Sequence, residues 1–151
     1  MSNASPLSLS REDISSMLAQ CDSESLQNII DSLLNRGLLG NIEVIRPPST
    51  GTVQLQVREP ICEERFIVGD ALVTVAEVSV GTSLGWAMRL GDDAVGAVAA
   101  AIADAHIAQV GLHMVPELSD LVHTTMAELK ASEQQEWAEI QGTVIDFEEL
   151  D

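Results

Sequence analysis

The sequence predicts an α+β fold in which helices precede and follow an antiparallel sheet. Apolar residues recur at helical spacing near the N-terminus, most regularly in residues 26–34. Between residues 42 and 90 the period changes to two, which is typical of strands with one wet face. Helical patterns return from residue 91 onward. Because the chain has 151 residues, it is long enough for one domain with a substantial core.

The N-terminal part of the domain is predicted to form two short helices. Ser10 offers an N-cap to the first, and acidic residues in its first turn suit the helix dipole. Asp22 or Ser23 can cap the second, whose apolar face spans residues 26–34. Gly37 is a suitable C-terminal stop for that helix.

The middle of the chain predicts an antiparallel meander of about five strands. The predicted strands are Ile42–Val44, Val53–Arg58, Arg65–Val68, Ala71–Val80 and Leu84–Leu90. The cluster Pro47–Gly51 predicts a turn between the first two strands. Gly81-Thr82 is typical of a two-residue hairpin turn. Because only short turns separate the strands, consecutive strands are expected to be neighbours.

One predicted strand is apolar on both of its faces. Val73 and Val75 share one side, whereas Ala76, Val78 and Val80 share the other. Such a strand needs cover on both sides, and we expect the helices to cover only one. An uncovered apolar surface usually marks an interface. The chain is therefore expected to form a homo-oligomer when it is alone.

The C-terminal part predicts two longer helices. Gly91–Asp93 opens the first, with acids at the positive end of its dipole. Residues 94–112 are dense in alanine, so this helix can pack very closely on its neighbours. Pro116 is expected to begin the last helix, and its buried stripe is predicted from Leu118 to Ile140. Residues 1–9 are predicted to be a flexible tail and residues 10–151 a single domain, because no linker divides the chain.

Charge restricts the classes of partner. Seven Lys and Arg face 24 Asp and Glu, which gives a net charge of -17. Nucleic acids and anionic membranes are therefore not expected as partners, since their phosphates would be repelled. Two explanations of the charge stay open: general solubility, and a docking surface for a basic protein. No apolar run or N-terminal signal pattern is evident and the cysteines form no paired motif, so we expect a cytoplasmic location.

Few residues in the sequence form a pattern that catalysis or metal binding requires. His106, His113 and His123 match no compact metal-ligand spacing, so neither a metal site nor a bound cofactor is expected. Cys62 lies beside two acids, which disfavour a reactive thiolate. No nucleotide-binding glycine motif is present, and no catalytic residue is assigned. Four arginines lie in the strand region, where they can grip a carboxylate or phosphate or form surface and interface ion pairs: Arg46, Arg58, Arg65 and Arg89.

Several segments in order along the chain resemble the PhnG family of the bacterial carbon–phosphorus lyase system. The resemblance is carried in order by Glu43–Arg46, Thr50-Gly51, Val53-Gln54, Gln56, Arg58, Glu64–Phe66, Gly69–Ala71, Leu84–Trp86, Leu90–Asp92 and Ala99–Ala105. The sequence departs from the family pattern at Glu59–Glu63, where a glycine-rich loop is usual, and at Asp92, where a basic residue is usual. The C-terminal residues 146–150 also differ, so the chain resembles a divergent member.

The resemblance implies an accessory, non-catalytic subunit of a transferase complex. That complex makes α-D-ribose 1-methylphosphonate 5-triphosphate from methylphosphonate and Mg-ATP, its substrate, and releases adenine. The implied partners are PhnI, PhnH, PhnJ and PhnL proteins, with PhnI resembling the nucleosidase. Contact candidates for substrate or an interface are Arg46, Arg58, Arg65 and Asp70. The alternative is an acidic homo-oligomeric binding module that uses the fold without phosphonate chemistry.

Overall fold

The computed structural model describes residues 8–142 and confirms the α+β class. The elements are α1 (Arg11–Gln20), α2 (Ser23–Asn35), β1 (Ile42–Arg58), β2 (Arg65–Val80), β3 (Ser83–Leu90), α3 (Ala94–Val110), a 3-10 turn (Leu112–Met114) and α4 (Pro116–Gly142). Most of the predicted N-terminal tail and the departure at residues 146–150 lie outside the described residues.

Local side-chain hydrogen bonds explain where three of the helices begin. The Ser10 hydroxyl accepts a bond from the Asp13 N–H, and the Asp13 carboxylate accepts one from the Ser10 N–H, which is a capping box. Asp22 caps α2 by accepting from the Ser25 N–H, and Asp93 caps α3 by accepting from the Gly96 N–H. These caps are encoded locally, so they agree with the sequence expectations at Ser10 and Asp22.

The sheet has three antiparallel strands in the order β1-β2-β3, so the prediction of five strands is wrong within the described residues. The expected turn at Pro47 and Pro48 lies inside β1. β1 is an edge strand, and its register shifts between Arg46 and Ser49, which accommodates residues that cannot donate a ladder bond. The two strands predicted around Gly69 are also continuous as β2.

The first two strands extend well beyond the third. β3 ends at Leu90, which pairs with Val73, so β1 and β2 continue as a two-stranded hairpin arm, Thr52–Leu72. A backbone bond of 2.9 Å from the Glu59 N–H to the Glu64 carbonyl closes its end. The Glu59 carboxylate also accepts hydrogen bonds from the Ile61 and Cys62 N–H groups. These bonds order the turn, although the sequence lacks the glycine-rich loop of the family that it resembles.

Helices cover one face of the sheet, and α3 lies directly on it. Gly85 of β3 meets the backbone of α3 so closely that an added Cβ would clash with the Ala101 carbonyl oxygen. The inner face of the sheet consists of small or β-branched residues: Ala76, Val78, Val80, Gly85 and Ala87. α1 and α2 pack against α3, and α4 packs on α1 and α2 to complete the helix layer.

The last helix leaves this layer half-way along its length. Leu118 and Val122 are fully buried, and Thr125 is nearly so. From residue 131 onward the described side chains of α4 are exposed. Ile140, predicted as part of the buried stripe, is 58% exposed, so that prediction is wrong for the C-terminal half of the helix.

Candidate functional site

The side of the sheet opposite the helix layer carries large apolar residues. Strand pairing places Val73 beside Leu90, and every second residue from these two along β2 and β3 points to the same side of the sheet. This outer face consists of Val73, Val75, Glu77 and Ser79 of β2 with Leu84, Trp86, Met88 and Leu90 of β3. Leu84 is 56% exposed, Trp86 45% and Leu90 72%. Val73, in contrast, is only 3% exposed, and Trp86 borders Arg11 and Glu12 of α1.

The apolar surface continues from the outer face onto the hairpin arm. Val53 pairs with Ala71, and alternation along β1 puts Leu55 and Val57 on the same side. β2 has one extra residue between its pairings with Leu55 and Gln56, and after this bulge Phe66 faces the same way because it pairs with Val57. Leu55, Val57 and Phe66 are all exposed. One apolar surface therefore runs from β3 to the end of the arm.

The opposite side of the arm mixes polar side chains with the exposed apolar residues Ile67 and Leu72. It carries Gln54 and Gln56 together with Arg58, which pairs directly with Arg65. Like charges opposite one another in a sheet are destabilising unless an anion lies near them. Neither arginine forms an ion pair within the described part of the chain. The end of the arm therefore holds two adjacent guanidinium groups available to an anion from outside.

The four predicted contact residues do not converge on one site. Arg46 lies at the root of the sheet, opposite Glu77, on the outer face. It precedes Arg58 by twelve positions of β1, which is on the order of 40 Å of extended strand. Asp70 pairs with Gln54 midway along the arm and makes no ion pair with Arg65 among the described residues. Only Arg58 and Arg65 are brought together.

The fourth strand arginine, Arg89, has a structural position that sequence reasoning missed. Its guanidinium donates to the carbonyl oxygens of Leu18 and Cys21 at 2.6 and 2.7 Å, and its Nε donates to Asp93 at 3.0 Å. It thereby ties the end of α1 to the start of α3. Burial alone would raise the pKa of Asp93, but bonds from Ser23, Gly96 and Arg89 hold it below the ordinary 3.8. Alternation along β3 was the available signal, because position 89 shares the inner face with Gly85.

A second polar junction joins α1, α3 and β3 through the buried Asp104 and the exposed Arg11. The Asp104 carboxylate accepts two bonds from Arg11, at 3.2 and 2.9 Å, and one from the Trp86 N–H at 3.1 Å. Arg11 also donates to the Leu84 carbonyl at 2.7 Å. The bond to Asp104 raises the pKa of Arg11. The junction fixes the backbone of β3 directly behind the outer face, and a lone acid within an alanine-rich helix was its only sequence signal.

The histidines divide between two places. His113 and His123 line an open cleft of about 620 Å³ together with Arg11 and Ser119. His106 is buried in α3, and burial lowers its pKa below the ordinary 6.5. Residues 8–142 contain no group of three or more His, Cys, Asp or Glu that is placed to hold a metal ion.

Comparison with known families decides the identification. The family model for the phosphonate metabolism protein PhnG matches residues 9–150. The chain belongs to the PhnG family. The match extends beyond the segments that carry the sequence resemblance and takes in both the hairpin arm and the outer face. No curated protein matched the chain.

Membership of the PhnG family implies a role in phosphonate metabolism. Proteins of this family are part of phosphonate metabolism systems, which is consistent with other Phn proteins as partners. None of the helices in the described range is long and apolar enough to cross a membrane.

Proposed function

We propose that the chain is an accessory subunit of the cytoplasmic complex that makes α-D-ribose 1-methylphosphonate 5-triphosphate. In this reaction methylphosphonate replaces the adenine of Mg-ATP, and adenine leaves. PhnI is the proposed nucleosidase partner, with PhnH, PhnJ and PhnL in the same system. The observation that carries the proposal is a family match over residues 9–150 in a chain whose sheet has an uncovered apolar face.

The chemistry of the reaction favours an accessory role. Displacement of adenine from ribose develops oxocarbenium-like charge, and the substrates bring a phosphonate and a triphosphate together. Holding both anions requires several cationic groups or Mg²⁺. The chain has seven Lys and Arg, of which Arg11, Arg36 and Arg89 are already held in ion pairs. The remaining bases are too few and too widely spaced to form that site alone.

Arg58 and Arg65 are the best-placed residues for contact with a substrate anion. They stand opposite each other at the end of an arm that projects from the body, and together they can hold a phosphate or phosphonate oxygen. We propose that the arm brings them to the border of a partner's site. Arg46 and Asp70 lie too far from this pair to share the same anion, and we assign Arg46, which lies on the outer face, to subunit contacts.

Reconstitution tests the accessory role. The isolated chain should release no adenine from Mg-ATP and methylphosphonate, the complete set of proteins should release it, and omission of this chain should abolish or strongly reduce the rate. Adenine release by the pure chain at an enzyme-like rate, retained through further purification, would show that it is an enzyme in its own right. Full activity of the remaining proteins without it would contradict the accessory role.

The arginine pair has a separate test within the same reconstitution. Arg58→Gln with Arg65→Gln should leave assembly intact and raise the KM for ATP or methylphosphonate, because uniform ground-state and transition-state binding is lost. Lys130→Gln is the control, because it removes a positive charge from the exposed surface of α4, away from both the pair and Arg46. Unchanged kinetic constants in an intact complex would exclude substrate contact by the pair.

A second function, an acidic homo-oligomeric module, is favoured by one observation. The uncovered outer face could be closed by another copy of the chain, and the net charge of -17 would keep such an oligomer soluble. Stable homo-oligomers that ignore co-expressed PhnI, PhnH and PhnJ would support this module.

A further inference from the structure

We infer that the outer face and the apolar side of the hairpin arm form one docking surface for a partner protein that presents an apolar strip with basic residues at both ends. The inference deepens the proposed function, on which it rests, by assigning the contact to a particular side of this chain. The opposite side of the arm, which carries Arg58 and Arg65 at its end, and the helix layer lie outside this docking surface.

The first argument is the length and continuity of the apolar surface. It begins at Leu84, crosses Trp86 and Val75, and ends at Phe66 near the end of the arm. Specific interfaces remove on the order of 800 Å² from each partner, and a surface that includes a projecting two-stranded arm is long enough for that. Phe66 is 49% exposed although it belongs to a residue type that is enriched at interface centres.

The second argument is that the backbone beneath this surface is rigid. The Trp86 N–H is bonded to the buried Asp104 carboxylate, and Arg11 bonds the Leu84 carbonyl. A surface whose backbone is already fixed loses little conformational freedom on binding, so more of the apolar contact energy remains for affinity. Large apolar side chains on a fixed backbone are therefore suited to docking.

Charge at the two ends of the surface identifies the kind of partner. At the end of the arm, Glu63 and Glu64 have no ionic partner in the described part of the chain, whereas the Arg58–Arg65 pair at the same end belongs to the opposite side of the arm. At the root, Glu43 pairs with Ser79 on the outer face, and the only nearby base, Arg46, lies opposite Glu77. Between the ends the surface is apolar. A complementary protein would therefore place cations against both acidic ends.

The same charges argue against a second copy as the occupant. Two copies related by a two-fold axis would place the same surface on itself. If the arms ran in opposite directions, Glu63 and Glu64 would meet Glu43 of the other copy, and if they ran in the same direction each acidic end would meet itself. Both chains also carry a net charge of -17. The homo-oligomer expected from the sequence should therefore form appreciably only at high salt, which screens the repulsion.

Neighbouring residues that point to opposite sides of the arm provide matched variants. Leu55→Glu and Phe66→Glu place a charge on the apolar side, whereas Gln54→Glu and Ile67→Glu place the same charge one residue away on the other side. The full chain is co-expressed with PhnH, PhnI and PhnJ, and the affinity of the purified variants for the remaining proteins is measured by titration. Leu55→Glu and Phe66→Glu should weaken binding by about tenfold or more, and the two controls by less than about threefold.

A charge reversal tests the choice of a basic partner. Glu63→Lys combined with Glu64→Lys should weaken binding at low salt and make it less sensitive to salt, since favourable pairing with cations is lost. Tighter binding of this variant would overturn the assignment of a basic partner. A dimer of the unmodified chain that forms tightly at low salt and is broken by Phe66→Glu but not by Ile67→Glu would identify a second copy as the occupant.

The outcomes separate this inference from the proposed function. If all four arm variants bind as tightly as the unmodified chain, the docking surface is wrong and the accessory role stands. If the unmodified chain does not bind the other proteins at all, the proposed function is wrong, and none of these proteins is the partner of the docking surface. Circular dichroism of each variant verifies that the chain remains folded, and variants on the arm lie away from the helix layer.

Discussion

The two faces of β3 differ in side-chain size in a way that reverses the usual relation between size and burial. Gly85 and Ala87 point toward the helices, whereas Leu84, Trp86 and Leu90 point away from them into solvent. The inner residues are small because α3 approaches to within backbone contact. The outer residues are large although between 45% and 72% of each remains exposed. The comparison indicates that the inner face holds the fold together and the outer face is built for another surface.

The largest expected effect comes from filling the contact on the inner face. Gly85→Val should destabilise the protein by about 3 kcal/mol or more, because its added side chain meets the Ala101 carbonyl and the Ala105 backbone, which cannot yield as a flexible side chain would. The measurement is the free energy of unfolding from denaturant titration. Gly69→Val on the arm is the control, since a Cβ at that position has open space around it. Equal stability of the two variants would contradict the role assigned to the inner face.

The next effect tests the polar residue on the same inner face. Arg89→Met should cost about 2–3 kcal/mol, because it leaves two buried carbonyl oxygens without donors and Asp93 without its cation. Arg46→Met on the outer face removes a charge that makes no hydrogen bond to the described residues, and it should change stability by less than about 0.5 kcal/mol. If both substitutions cost the same, Arg89 does not act as the junction described above.

Local signals predicted the ends of elements better than the path of the sheet. Ser10, Asp22 and Gly81-Thr82 act through contacts within a few residues, so the sequence indicates the caps and the second hairpin directly. Pro47 and Pro48 were misleading because proline is tolerated in an edge strand but not in a central one. Whether β1 is an edge strand depends on its pairing with β2, which the local sequence does not specify. Neighbouring strands had to be known before the five predicted strands could be merged into three.

The candidate site could be predicted only in part for the same reason. Alternation in the Ala71–Val80 strand predicted apolar residues on both sides, and in the structure the inner residues Ala76, Val78 and Val80 are buried while Leu84 and Leu90 on the outer side stay exposed. The separation of Arg46 from Arg58 and Arg65 depends on the length of a continuous β1, which the predicted turn concealed. Arg89 and Arg11 make contacts more than sixty residues away in the chain, and no local pattern specifies them.

A smaller effect should appear as a dependence of stability on pH. Burial lowers the pKa of His106 in the folded state below its ordinary 6.5, so the unfolded chain binds this proton more readily. The resulting contribution to stability is present above about pH 6.5 and is lost as pH falls toward the folded pKa. Arg36 and Glu117 border the same depression, and their ion pair stays formed in this range. Unfolding should be measured between about pH 8 and pH 5, above the main titration of the carboxylates.

Substitution of the histidine verifies the source of that dependence. His106→Leu should flatten the change of unfolding free energy with pH over this interval. His123→Gln changes an exposed side chain in the first half of α4, and this variant should keep the slope of the unmodified chain. If the slope persists in His106→Leu, another group causes the pH dependence, and burial of His106 does not contribute to it.

The smallest effect on stability belongs to the outer face, and it is the sharpest test of the comparison. Leu84→Ser with Leu90→Ser should change the free energy of unfolding by less than about 1 kcal/mol, because both side chains are more than half exposed in the folded chain and lose little contact. The same variant should reduce self-association, measured by sedimentation at high salt where the net charge of -17 is screened. Val78→Ser is the matched inner substitution: Val78 is fully buried, so stability should fall by more than about 1 kcal/mol. If the double outer variant were the less stable of the two, the exposed leucines would be holding the fold together, and the separate roles of the two faces would be wrong.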